Sequence, residues 1–126
     1  MKAEDPGAFS FTGRIRSVKH AILGILTMLK GQHNAWVHLI ATICVIVTGF
    51  YYQVTPTEWC FLVMAIVLVW AAEALNTAFE FLCDVSSPDF HPLVKKSKDV
   101  AAGAVLICAI GAVAVGLIIF LPYITV

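Results

Sequence analysis

Val100 to Leu121 reads VAAGAVLICAIGAVAVGLIIFL, an unbroken run with no formal charge. A bilayer's hydrocarbon core needs about 20 apolar residues in helix, so this stretch is read as a membrane span. Working back along the chain, Trp59 to Cys83 is a second span, interrupted in its latter half by Glu73, Asn76, Thr77 and Glu80. Ala35 to Tyr52 (AWVHLIATICVIVTGFYY) is another, with one His as its only titratable side chain besides Cys and Tyr. With their flanks the helices cover about 35–52, 58–83 and 95–121.

Composition points the same way. The chain has 126 residues, enough for a single domain, of which 60% are apolar and 13% charged; mean hydropathy is +0.91. A soluble domain this small exposes too much of its chain to hide that apolar surface. Eight basic and eight acidic residues cancel, so no net field draws a polyanion, and a nucleic-acid partner is not expected. The fold class expected is all-α integral membrane, one membrane-embedded domain over residues 1–126.

The connections are short. Thr55-Pro56-Thr57-Glu58 carries the pattern of a capping box with Pro at the first helical position. Ser86-Ser87-Pro88 ends the second span, Pro92 opens the third, and Pro122 is expected to end it. Lys2, Arg14, Arg16, Lys19 and Lys30 precede the first span, and Lys95, Lys96 and Lys98 lie between the second and third. By the positive-inside rule, the N-terminus and the 84–98 loop face the cytoplasm.

Residues 14–30 (RIRSVKHAILGILTMLK) place Ile15, Val18, Ile22, Ile25, Leu26 and Leu29 at helical steps, with basic residues among the rest. An amphipathic helix in the cytoplasmic interface is expected, anchoring the bundle or serving the site directly. No small-residue cleavage site follows a short apolar core, so a removable leader is not expected. The four Cys (44, 60, 83 and 108) read as small core residues, and Ala112-x-x-x-Gly116 as a close-packing pattern.

In Glu73-Ala-Leu-Asn76-Thr77-Ala-Phe-Glu80-Phe-Leu-Cys-Asp84, the residues Thr77, Glu80 and Asp84 fall within roughly 40° of Glu73 around a helix, and Asn76 about 60° away. A carboxylate at membrane depth costs at least about 2.5–3.5 kcal/mol on insertion scales, and such groups usually line a cavity. Asn76 and Thr77 alone would equally serve as interhelical glue, and Asp84 alone as a solvated helix end. Two Glu and an Asp on one face point instead to a polar site. Beyond the loop, Lys98 and Asp99 are expected to face this stripe. Lys offers a point charge to phosphate and carboxylates suit Mg²⁺, so the set suggests metal-assisted phosphoryl transfer to a lipid. No phosphate-binding glycine loop or protein-kinase signature is present.

The run Glu73-Ala-Leu-Asn76-Thr77-Ala-Phe-Glu80-x-x-x-Asp84, followed by His91 and Lys98-Asp99-Val-Ala-Ala-Gly-Ala-Val, closely resembles the signature of the prokaryotic diacylglycerol kinase family, which includes the undecaprenol kinases. Arg14-Ile-Arg-Ser-Val-Lys-x-Ala-x-x-Gly24, His33-Asn34, His38 and the closing Ile-Ile-Phe-Leu-Pro extend the resemblance over nearly the whole chain. It implies a homotrimer of three-span subunits in the bacterial inner membrane, each with an N-terminal surface helix. Active sites would lie between subunits at the cytoplasmic face. It also implies ATP as phosphoryl donor, Mg²⁺ as cofactor, and a membrane lipid alcohol, undecaprenol or diacylglycerol, as acceptor. By position, Glu73 matches the general base, Asn76 a support for metal and phosphate, and Glu80 a carboxylate that binds Mg²⁺. Lys98 and Asp99 match nucleotide contacts, Asp89-Phe90-His91 the loop beside the nucleotide, and His20 a nucleotide-proximal residue of the surface helix. The family's second metal-binding carboxylate aligns with Gln32, a neutral and weaker ligand that Glu4 and Asp5 are too remote to replace. Against the lipid kinase stand two other readings: a small transporter or channel subunit using the Glu stripe as an ion path, and a catalytically silent relative.

Overall fold

The computed structural model describes residues 7–126; Lys2, Glu4 and Asp5 lie outside the described residues. Four helices account for nearly all of the rest: α1 (Phe11–Gly31), α2 (His33–Tyr52), α3 (Pro56–Ser86) and α4 (Pro92–Ile124). The last three are long and apolar enough to cross a membrane. Each expected span is found inside a longer helix. At 1.5 Å per residue, α3 and α4 measure about 46 and 50 Å, well beyond a hydrocarbon core of about 30 Å. The surplus falls where α3 ends and α4 begins, on the segment that carries Asp84 and the lysines.

Local chemistry sets the boundaries. Ser10 caps α1, its hydroxyl accepting from the Gly13 N–H at 3.2 Å. At α3 the capping box forms as expected: the Glu58 N–H donates to Thr55 Oγ1 at 3.2 Å, and the Thr55 N–H donates to Glu58 Oε1 at 2.9 Å. Such a cap is worth about 1 kcal/mol. Pro92 occupies the first turn of α4, and His91 caps it, Nδ1 accepting from the Leu93 N–H at 3.1 Å. Between α1 and α2 there is one residue, Gln32, extended at φ −124° and ψ 120°, which ends one helix and begins the next. At the other end of α2, Gln53 adopts a left-handed conformation (φ 51°) and turns the chain into α3.

Pro122 does not end the last helix. It sits inside α4, which continues to Ile124 and closes with the Thr125 N–H on the Leu121 carbonyl at 3.0 Å. Proline removes its own N–H but not those of the residues after it, so a helix can run on for one more half-turn.

Helix α3 is the centre of the molecule. It packs along α4, more sparsely against α2, and it also meets α1. Of its most apolar window 28% is buried, against 11% for α2 and for α4. The main apolar cluster lies at the end remote from the lysines, where Val54, Leu62 and Ile119 are packed by Tyr52, Trp59, Phe120 and Tyr123. Elsewhere large apolar side chains such as Ile40, Val67, Leu75, Ile107 and Ile118 face outward, as a helix bundle in lipid or in a larger assembly requires.

Two expectations fail for that reason. Cys83 is buried, but Cys44 and Cys60 are exposed rather than core residues; thiols are apolar enough to face outward among Ile and Val. Within the chain Ala112 and Gly116 are not pressed against another helix: a Cβ added at Gly116 would meet nothing within 4 Å, and both residues line an open groove.

Candidate active site

The polar stripe of α3 splits by depth. Glu73 is wholly buried and Asn76 and Thr77 nearly so, Glu80 is half-buried and Asp84 is exposed. Three helical steps therefore carry the stripe from the bundle interior to its polar end. Thr77 is satisfied locally, its hydroxyl donating to the Glu73 carbonyl at 2.9 Å. This bond stays within α3, so within this chain Thr77 does not serve as the interhelical glue that its type allows.

Glu73 meets a residue of another helix. His38 Nε2–H on α2 donates to Glu73 Oε2 at 3.2 Å. The other carboxylate oxygen, Oε1, is buried without a partner, as is Asn76 Oδ1. Buried oxygens left unpaired are uncommon and costly, about 1–3 kcal/mol each. Two of them one turn apart form a place built to accept donors. Asn76 and His38, with Asn34 of α2, line a cavity of ≈ 250 Å³ whose opposite wall is Ala102, Val105 and Leu106 of α4. His38 also lines the upper end of an apolar groove of ≈ 480 Å³ that runs between α2 and α4 to Ile124.

The loop side of the site lies at the junction of α3 and α4. Asp84, Asp89, Phe90, His91, Lys95 and Lys98 surround a cavity of ≈ 570 Å³. Lys98 Nζ donates to Asp84 Oδ1 at 2.6 Å, so the lysine meets the outermost member of the stripe, as expected. Asp99 does not face the stripe; it accepts from Lys95 at 2.7 Å, one turn back on the surface of α4. The reason is the helix period: the residue after Lys98 points about 100° away from it.

His20 is exposed on α1 and Gln32 is half-buried at the α1–α2 corner. Neither borders the three cavities described. Among the described residues no three His, Cys, Asp or Glu side chains converge on a metal position. The oxygens present are nonetheless of the kind a hard cation takes. Mg²⁺ is usually held by one or two carboxylates plus water and substrate phosphates; half-buried Glu80 is a carboxylate of that kind, though it too borders none of the three cavities.

Sequence reasoning named Glu73 and Asn76 but gave His38 no role. Its signals were a lone His within an otherwise uncharged span and a place in the family resemblance, neither of which assigns it a task. The Trp70 indole N–H and the Thr42 hydroxyl carry no sequence signal at all. They form a second link between α2 and α3, Nε1 donating to Thr42 Oγ1 at 2.9 Å.

Residues 19–120 match the family model described as prokaryotic diacylglycerol kinase. The undecaprenol kinase of Bacillus subtilis (strain 168) is 36% identical over 107 residues, covering 85% of this chain and 87% of that protein. A diacylglycerol kinase of Synechocystis is 35% identical over 84% of this chain, which spans 61% of that longer relative. The diacylglycerol kinase of Escherichia coli (strain K12) is 30% identical over 67% of this chain and 75% of its own length.

Proposed function

The chain belongs to the prokaryotic diacylglycerol kinase family and is a lipid kinase, and from that premise we propose that it transfers the γ-phosphoryl group of ATP to undecaprenol at the cytoplasmic face of the bacterial inner membrane. The choice of acceptor is supported by the 36% identity to an undecaprenol kinase over most of both chains. Orientation is supported by the charge layout, since Arg14, Arg16, Lys19 and Lys30 precede α2, and Lys95, Lys96 and Lys98 lie on the first turns of α4. In this reading α1 is the amphipathic surface helix. The unit is a homotrimer, consistent with the outward-facing apolar side chains of all three long helices.

The observation that carries the mechanism is the buried carboxylate of Glu73 with Oε1 unpartnered. Glu73 takes the proton of the lipid hydroxyl at Oε1 as the hydroxyl oxygen attacks the γ-phosphorus in line. General-base help of this kind contributes typically about 10²–10⁴-fold. Asn76, one turn along, steadies the transferring phosphate. Lys98 turns from Asp84 to the phosphate chain, and the Asp89-Phe90-His91 loop with Asp99 and His20 borders the nucleotide. Glu80, assisted by the Gln32 amide oxygen, would hold Mg²⁺, which when bound neutralises phosphate charge. Positioning and charge stabilisation supply most of the rate enhancement in such transfers.

The test is phosphate transfer from labelled ATP with Mg²⁺ in mixed micelles, offering undecaprenol and diacylglycerol separately, with Glu73→Ala alongside. Product that depends on Glu73, and forms faster on undecaprenol, is expected. No product on either lipid from intact protein, at raised Mg²⁺, would overturn the reading.

A further inference from the structure

Glu73 is wholly buried, and one of its two oxygens is held while the other is not. That asymmetry has a structural cause. The last torsion of a glutamate is broad and nearly two-fold, so an unrestrained carboxylate exchanges its oxygens and offers a base in no fixed direction. The His38 Nε2–H breaks the symmetry at 3.2 Å from Oε2. Among the described residues it is the one side chain that hydrogen-bonds the Glu73 carboxylate.

His38 is itself fixed. The Thr42 hydroxyl donates to the His38 carbonyl at 2.6 Å, and the Trp70 indole N–H donates to the same hydroxyl at 2.9 Å. The His38 and Trp70 rings meet edge to face with centroids 6.2 Å apart. Two polar links, Trp70 to Thr42 and Glu73 to His38, thus tie one turn of α3 to one turn of α2, across the sparser of the two span contacts. His38 further stands where the apolar groove meets the cavity bordered by Asn34 and Asn76, lining both, while Glu73 borders neither.

We propose that His38 is the positioning residue of the transfer reaction, holding Oε2 of Glu73 so that Oε1 is the atom that receives the lipid hydroxyl proton. This rests on Glu73 being the base. In the step, the lipid O–H bond breaks and its proton goes to Oε1. The hydroxyl oxygen forms the new bond to the γ-phosphorus, and the β–γ bridging P–O bond breaks with its electron pair leaving on ADP. The His38 proton stays on Nε2 throughout.

The experiment uses the full chain in mixed micelles with ATP, Mg²⁺ and undecaprenol, and compares His38→Ala, His38→Gln, Thr42→Val and Glu73→Ala. A misdirected base costs on the order of 100-fold. His38→Ala is expected to lose about that much in kcat, with KM for lipid and for ATP nearly unchanged. His38→Gln, whose amide N–H can still donate to Oε2, is expected to recover most of the loss. Thr42→Val, which loosens His38 without touching its ring, is expected to lower kcat by a smaller factor and keeps the test alive if His38→Ala does not fold. Three results would overturn the proposal: full activity in His38→Ala beside an inactive Glu73→Ala, a loss confined to lipid KM, or a His38→Gln as inactive as His38→Ala with its assembly intact. The last would assign the proton to His38 itself. An inactive parent protein would instead remove the kinase reading, and this one with it.

Discussion

Tyr123 donates its hydroxyl proton to Glu58 Oε1 at 2.5 Å, joining the last turn of α4 to the first turn of α3. The same oxygen accepts the Thr55 N–H in the capping box, so one carboxylate both starts a helix and fastens its neighbour. Tyr123→Phe keeps the ring in the cluster with Tyr52, at a centroid distance of 5.7 Å, and removes only the hydrogen bond. A bond to a charged acceptor is stronger than one between neutral groups, though solvent weakens it near the surface. The substitution should lower resistance to thermal inactivation in detergent while leaving the transfer rate at low temperature unchanged. A rate loss without a stability loss would contradict this.

Gly49 is buried against Trp59. A Cβ there would lie 2.5 Å from Trp59 Cη2 and 2.8 Å from Cζ2, so the indole, which also packs on the Phe50 ring at 5.0 Å, would have to shift. Gly49→Ala should destabilise the fold by about 1–3 kcal/mol through overpacking. Adding Trp59→Leu should return part of that loss. Unfolding of the two single variants and the double variant checks the coupling.

Lys98 offers charge to phosphate but is engaged with Asp84 at 2.6 Å, both side chains being substantially exposed (38% and 63%). An exposed pair of this kind adds little to stability. Lys98→Gln should therefore leave thermal stability nearly intact and raise the KM for ATP about 10- to 100-fold, the equivalent of one charged hydrogen bond. Asp84→Asn, which releases the lysine, should lower that KM or leave it unchanged. Nucleotide titrations of initial rate decide both.

Gln32→Glu should keep the activity and lower the half-saturating Mg²⁺ concentration, because a carboxylate is a stronger ligand for a hard cation than an amide. Rates measured across a Mg²⁺ series at fixed ATP test it. A rise in the half-saturating concentration would show that residue 32 does not meet the metal.

The spans were legible because lipid-crossing helices announce themselves by length and absence of charge, and α2, α3 and α4 each contain the segment so identified. Thr55 to Glu58 and Pro92 were legible because capping chemistry is local in sequence. The direction of a side chain within the assembled bundle was not. Cys44, Cys60, Ala112 and Gly116 have core-like chemistry, yet only packing decides whether they face a neighbour or the outside. Helix periodicity grouped Glu73, Glu80 and Asp84 correctly, but depth separated them. His38 meets Glu73 across 35 residues, a pairing between two helices that no spacing within either could reveal.

The single residue between α1 and α2 has a consequence for how this chain can vary in length. Loops usually absorb an inserted residue, but a joint of one extended residue between two helices has no slack. Adding or deleting a residue at Gln32 would turn α2 about its axis by about 100° if α1 stayed in place, swinging His38 away from the carboxylate it meets. The α1–α2 corner therefore works as an indexing stop: its length sets the rotational phase of a helix whose key side chain lies six residues further on.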